Sequence, residues 1–96
     1  MCAPTISVVV PVLNGARSLP ALLDALTRQT LGRDRFELIV VDNGSRDRTA
    51  AIALAAGARV IGEPRRGRAR ARNTGVAAAT APAIAFTDAD CVPAPG

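Results

Sequence analysis

Two carboxylates one residue apart, Asp88 and Asp90, follow the apolar run Ala83-Ile84-Ala85-Phe86-Thr87. Residues i and i+2 of a strand point to the same face. If the extended conformation runs through the strand end, both acids aim at one small volume. Carboxylates held that close raise one another's pKa unless a cation sits between them. A hard divalent cation with oxygen ligands suits such a pair, and it commonly carries phosphate oxygens as well. The same residues would also make a polar turn closing a buried strand. Asp-x-Asp alone is too common to choose between the two.

Other residues point to the same kind of ligand. Asp42 ends a second apolar run, Phe36-Glu37-Leu38-Ile39-Val40-Val41, and is followed by Asn43-Gly44-Ser45. Asp42 reads either as a turn former or as an acceptor for a base N–H. The candidate donors are N3–H of uracil or thymine, and N1–H with the N2 amine of guanine. Gly44 lets the backbone approach a ligand without a Cβ in the way. The basic segment runs from Gly67 through Arg68, Arg70 and Arg72 to Asn73-Thr74-Gly75. On a helix Arg68 and Arg72 share a face and Arg70 points away. Arg65, Arg66 and Arg70 read as solvated arginines. Arg72 lies near the start of a helix whose N-terminus can face a phosphate, and Gly75 allows close helix packing.

The elements that must position these residues alternate. Ile6-Ser7-Val8-Val9-Val10-Pro11-Val12 is apolar on both faces, as a central parallel strand is. Pro11 is expected to end it, and Asn14-Gly15 to make the turn. Ser18 is a candidate N-cap, with Pro20 in the first helical turn. Leu19, Leu22, Leu23 and Leu26 form one apolar stripe, and Gly32 closes the helical region. After the strand ending at Asp42, Ser45 or Asp47 caps a helix over 48–56 that Gly57 terminates. Arg59-Val60-Ile61 is a short strand and 63–67 a loop. An Ala-rich helix over 68–79 stops before Pro82, and the last strand follows. Four strands alternate with three helices at short spacing. This predicts an α/β fold: an open, mostly parallel sheet with alternating helices and right-handed crossovers. Ligands of such sheets bind outside the carboxyl ends of the strands, where Pro11, Asp42, Asp88 and Asp90 all fall.

Composition sets bounds on this reading. The chain has 96 residues, enough for one small domain. Hydrophobic residues make up 49% and aromatics 2%, so a core exists but has little bulk. Net charge is +4, carried by arginine without lysine, which suits an anionic ligand. With few aromatics for stacking and no single basic face, nucleic acid is not the expected partner. Cys2 and Cys91 lack metal-ligand spacing and no His is present, so no zinc site is expected. They read as free thiols in a reducing compartment. No apolar run approaches the length of a membrane span. The expected location is cytoplasmic, with room for peripheral contact at the inner face of the cell membrane.

As a set, these residues resemble the family-2 glycosyltransferases of the GT-A fold. The resemblance is carried by Val8 to Asn14, Val40 to Asp47, Gly67 with Ala71-Arg72-Asn73-Thr74-Gly75, and Asp88-Ala89-Asp90, in order and over almost the whole chain. It implies a single incomplete donor domain over 1–96, binding a nucleotide-diphosphate sugar, with UDP-sugar favoured. It further implies inverting transfer to an unidentified glycan, lipid or small-molecule acceptor. Pro11, Val12 and Asn14 would line the base and ribose site, and Asp42 would bond the base. Gly44, Arg72 and Ala89 would border the nucleotide. Asp88 and Asp90 would hold ribose and a Mn²⁺ or Mg²⁺ on the diphosphate. Asn43 stands where many members carry a second Asp, a departure expected to matter little. No acid matches the carboxylate general base of similar enzymes, so the acceptor-binding half is expected downstream. The chain alone is then expected to be inactive and to self-associate through an exposed sheet edge. The alternative is a non-catalytic nucleotide-diphosphate-binding module or an inactive fragment.

Overall fold

The computed structural model describes residues 6–27, 36–65 and 67–87. Seven elements alternate: β1 (Ile6–Val12), α1 (Leu19–Thr27), β2 (Phe36–Asp42), α2 (Thr49–Ala55), β3 (Arg59–Gly62), α3 (Arg68–Ala78) and β4 (Ala83–Phe86). The four strands form one sheet in the order β3-β2-β1-β4, and every pairing is parallel. The expected α/β architecture is therefore the observed one.

Alternating residues of the two central strands serve two cores. Val10, Val12, Leu38 and Val40 pack with Leu19, Leu22, Leu23 and Ala53, on the face covered by α1 and α2. Val9, Ile39 and Val41 pack with Ala71 on the other face, which α3 covers. Gly75 lets α3 lie close: a Cβ there would run into Val9 Cγ1 and stand 3.1 Å from Val41 Cγ2. The leucine stripe of α1 is buried as its spacing predicts, with Leu19 and Leu22 at 0% exposure.

The strand order explains where a ligand would sit. From β1 to β3 the chain steps outward in one direction, then α3 carries it back across the sheet to β4. This reversal puts α3 on the face opposite α1 and α2. The switch point lies between β1 and β4, where open parallel sheets bind ligands beyond their carboxyl ends. That end of the sheet is called the upper edge below.

Several local expectations need correction. Pro11 does not end β1; it pairs with Val41, and the strand runs on to Val12. Val9 O accepts from Thr87 N, so Val9 faces β4, and Pro11 two residues on faces the same side, beyond the last residue of β4. Its missing N–H therefore costs no ladder bond. Arg48 occupies the N-cap position of α2 and makes no side-chain cap. Asp47 just before it accepts from the first helical N–H, Thr49 N, at 3.0 Å, as a capping residue would, and Ser45 does not cap the helix. Gly57 does terminate α2, with φ +88° and paired bonds from Gly57 N to Leu54 O and Ala58 N to Ala53 O, the Schellman arrangement. All four residues of β4 are exposed, which fits the exposed sheet edge expected there. Its outer edge has no neighbouring strand among the described residues. Gly32, the expected close of the first helix, lies outside the described residues.

Candidate functional site

The upper edge is built from three loops tied together by side chains. The first staple joins the loop after β1 to the loop after β2. Asn14 N donates to Ser45 Oγ at 2.8 Å, and Asn14 Oδ1 accepts from Arg46 N at 2.8 Å. Gly15 N donates to Thr49 Oγ1 at 3.0 Å and Ala16 N to Asp47 Oδ2 at 3.1 Å. Asn14 makes these bonds from the left-handed region, φ 52°, which Asn tolerates better than most residues. The Asp47 carboxyl is held below its ordinary range, first by the Thr49 hydroxyl and then by the backbone N–H groups of Ala16 and Thr49. Asn14 thus shapes the loop with its backbone and Oδ1, leaving Nδ2 for any ligand.

Asp42 is the turn former that one of its readings expected. Its Oδ1 accepts from Ser45 N at 2.9 Å, closing the turn. No described donor reaches its second carboxylate oxygen, and the residue is half-buried at the edge. Gly44 is exposed with φ +90°, and a Cβ there would meet nothing within 4 Å. Glycine is required for the backbone angle, and the space in front of it is open.

The second staple joins β2 to the loop between β3 and α3, and sequence reasoning did not foresee it. Asn43 is 7% exposed. Its Nδ2 donates to Glu63 O at 2.7 Å and Arg65 O at 2.8 Å, while its Oδ1 accepts from Gly67 N at 3.3 Å. Glu63 is 4% exposed. Its carboxylate accepts from Arg65 N, Nε and one terminal nitrogen at 2.9, 3.1 and 2.9 Å, and from Thr74 Oγ1 at 2.6 Å. The Arg65 side chain first, then Thr74, bring the Glu63 carboxyl down to about 2. The one sequence signal for Glu63 was its place: an acid just after β3, as Asp42 is the acid at the end of β2.

Arg72 lies on the second turn of α3. Its guanidinium carbon is 5.9 Å from the centroid of the Phe86 ring, at cation–π distance. Its Nε is buried and has no hydrogen-bond partner among the described residues. An unpaired buried donor costs about 1–3 kcal/mol, so an absent acceptor is the natural explanation. The remaining candidates fall apart in role. Val12 packs its side chain into the core at 5% exposure, and its carbonyl accepts from Asn43 N. Pro11 is buried between β2 and the end of β4. Asp88, Ala89 and Asp90 follow β4 in sequence and lie outside the described residues. Among the described residues, no group of three or more His, Cys, Asp or Glu could hold a metal.

With this geometry in place, comparison with known proteins is informative. The glycosyl transferase family 2 profile matches residues 7–96. The chain belongs to this family. Glycosyltransferase AglE of Haloferax volcanii is 38% identical over 96 aligned positions, covering 94% of this chain and 32% of AglE. The crystal structure of S. aureus TarS 1-349 in complex with UDP superposes with a TM-score of 0.84 at 28% identity, over 90% of this chain and 27% of that TarS chain. The mannosyltransferase PcManGT of Pyrobaculum calidifontis, solved with GDP-Man and Mn²⁺, gives a TM-score of 0.83 at 34% identity, over 91% of this chain and 28% of PcManGT. The chain spans about a third of the length of the curated relatives it matches, 32% and 38% for the first two. Its fold is that of the GT-A glycosyltransferases.

Proposed function

We propose that this family-2 chain is the donor-binding part of an inverting glycosyltransferase that uses a UDP-sugar. The observation that carries the reading is the buried, unpartnered Nε of Arg72, stacked over Phe86 at the end of β4. It asks for an anionic acceptor at the switch point of the sheet. Asp42 brings an open carboxylate oxygen to the neighbouring strand end, suited to a base N–H. The solved relatives support a nucleotide ligand, since TarS was crystallised with UDP and PcManGT with GDP-Man and Mn²⁺.

In this reading Asp42 selects the base by accepting from it, and Arg72 donates to the diphosphate. Pro11 and Asn14 border the base and ribose, Gly44 leaves room for them, and Ala89 lies between the two metal-side acids. Asp88 and Asp90 are the residues that would hold a Mn²⁺ or Mg²⁺, which supplies charge neutralisation for the departing diphosphate. The acceptor hydroxyl and the carboxylate that deprotonates it belong to an acceptor-binding half. The same reading puts the protein in the cytoplasm, with peripheral contact at the inner membrane face where the acceptor is a lipid. No described helix is long and apolar enough to cross a membrane.

The test is an assay of the protein from its complete reading frame with a panel of nucleotide-sugars, measuring acceptor-dependent release of nucleoside diphosphate. Release from UDP-sugars supports the proposal. Nucleotide binding without release under any acceptor would make the chain a binding module instead.

A further inference from the structure

We propose that Asn43 is a positioning residue for the donor nucleotide, acting through the loop 63–67 and α3 to hold Arg72 in place. The proposal rests on the reading of the upper edge as the donor site. Asn43 is anchored twice over before its side chain acts. It directly follows β2, and its own N–H donates to Val12 O at 2.8 Å. From there its amide reaches the loop at three points, two carbonyls and one N–H. Glu63, whose N–H donates to Asp42 O at 2.9 Å, completes the tie by accepting from Thr74 on α3. The first residue of α3 follows Gly67 directly, and Thr74 stands two residues after Arg72. A chain of hydrogen bonds therefore runs from the strand end that carries Asp42 to the helix that carries Arg72. The two groups proposed to read opposite ends of one ligand are set in mutual register by it.

The chemistry requires an amide. Only Asn donates two N–H bonds and accepts a third from a side chain of this length. Aspartate is nearly isosteric but would set a carboxylate oxygen against the carbonyls of Glu63 and Arg65, beside the Glu63 and Asp42 carboxylates. So the Asn in place of a second Asp is not a neutral departure in this chain. It belongs with the backbone path of this loop.

A double-mutant cycle on the protein from its complete reading frame tests this, with UDP and Mn²⁺ as probe. N43D should weaken UDP binding by about tenfold, the worth of one hydrogen bond, and R72A by at least as much. If Asn43 acts through Arg72, N43D/R72A should bind within about twofold of R72A alone. Trypsin should also cut after Arg65 faster in N43D than in the unaltered protein. Should N43D not fold, T74V, which severs only the tie between Glu63 and α3, must show the same non-additivity. Losses that add, or N43D binding as tightly as the unaltered protein, would overturn the positioning role. Failure of the unaltered protein to bind UDP would overturn the donor reading itself. In that case unchanged trypsin cleavage of N43D would reject the latch independently.

Discussion

The two edges of the sheet are built from similar residues and finished differently. At the lower edge, Glu37 accepts from Ser7 Oγ, Arg59, Thr80 N and Thr80 Oγ1, Ser7 Oγ in turn accepts from Ala81 N, and Arg59 also donates to Ala78 O. This network ties β1, β2, β3 and the turn before β4 into a closed set. At the upper edge the Asn14 and Asn43 staples are equally full, yet Arg72 Nε and one oxygen of Asp42 remain open. Folds satisfy their buried polar groups where nothing else is asked of them. A fully partnered edge is explained by the fold alone; an edge that leaves groups of opposite sign open among the described residues is what the proposed ligand would require.

The largest expected effect comes from disturbing both edges at once. α3 spans from one to the other, and Gly75 sets its distance from the sheet. Gly75→Ala should cost about 1–3 kcal/mol through overpacking against Val9 and Val41, read as a lower denaturant midpoint, with UDP affinity falling in parallel. Retained stability would mean that α3 is not seated as described.

Asp42→Asn separates the edges. It keeps an oxygen for Ser45 N but replaces the open carboxylate oxygen with an amide. UDP binding should weaken by about 1.5–3 kcal/mol, roughly tenfold to 150-fold, while pyrophosphate binding is unchanged. Equal loss for both ligands would return Asp42 to a purely structural role.

Glu37→Gln should do the reverse. Burial pushes the Glu37 carboxyl up, but bonds from Thr80 N, Ser7, Arg59 and Thr80 Oγ1 outweigh it and bring it down to about 2. Discounted for solvent screening, the substitution should cost about 1 kcal/mol, or roughly 4–8 °C in Tm, with UDP affinity unaltered. A matched loss of UDP affinity would break the distinction between the edges.

A further expected effect is the pH dependence. Glu37 and Glu63 have folded-state values of about 2 against an ordinary 4.5, and Asp47 is shifted in the same direction. A lowered carboxyl stabilises the fold fully above its unfolded pKa and loses that contribution as pH falls through the folded one. Stability should therefore be level above about pH 5 and decline between roughly 4.5 and 2. Glu37→Gln should flatten part of that decline, and thermal melts across the range would measure it.

Much of this was legible before the coordinates. The bounds of β2, Phe36 to Asp42, follow from a continuous apolar run between turn residues, and the leucine stripe of α1 from its spacing. Gly75 announced close packing because nothing else fits there. The failures were non-local. Whether Pro11 breaks a strand depends on which neighbour its missing N–H would face, and that is decided by where β4 ends. The bonds of Asn43 gave no sequence signal because they reach groups 20, 22 and 24 residues away. Glu63 and Glu37 are acids beside apolar strands, and only the fold brings their donors to them.

The central claim is that the upper edge of this sheet is a nucleotide-diphosphate site completed by a divalent cation. Titration calorimetry of UDP into the protein from its complete reading frame, with Mn²⁺ and again in EDTA, tests it most directly. The account predicts saturable one-to-one binding with Mn²⁺ and a marked loss of affinity in EDTA. Equal affinity in both conditions would contradict a cation-completed site, and no binding in either would contradict the nucleotide site altogether.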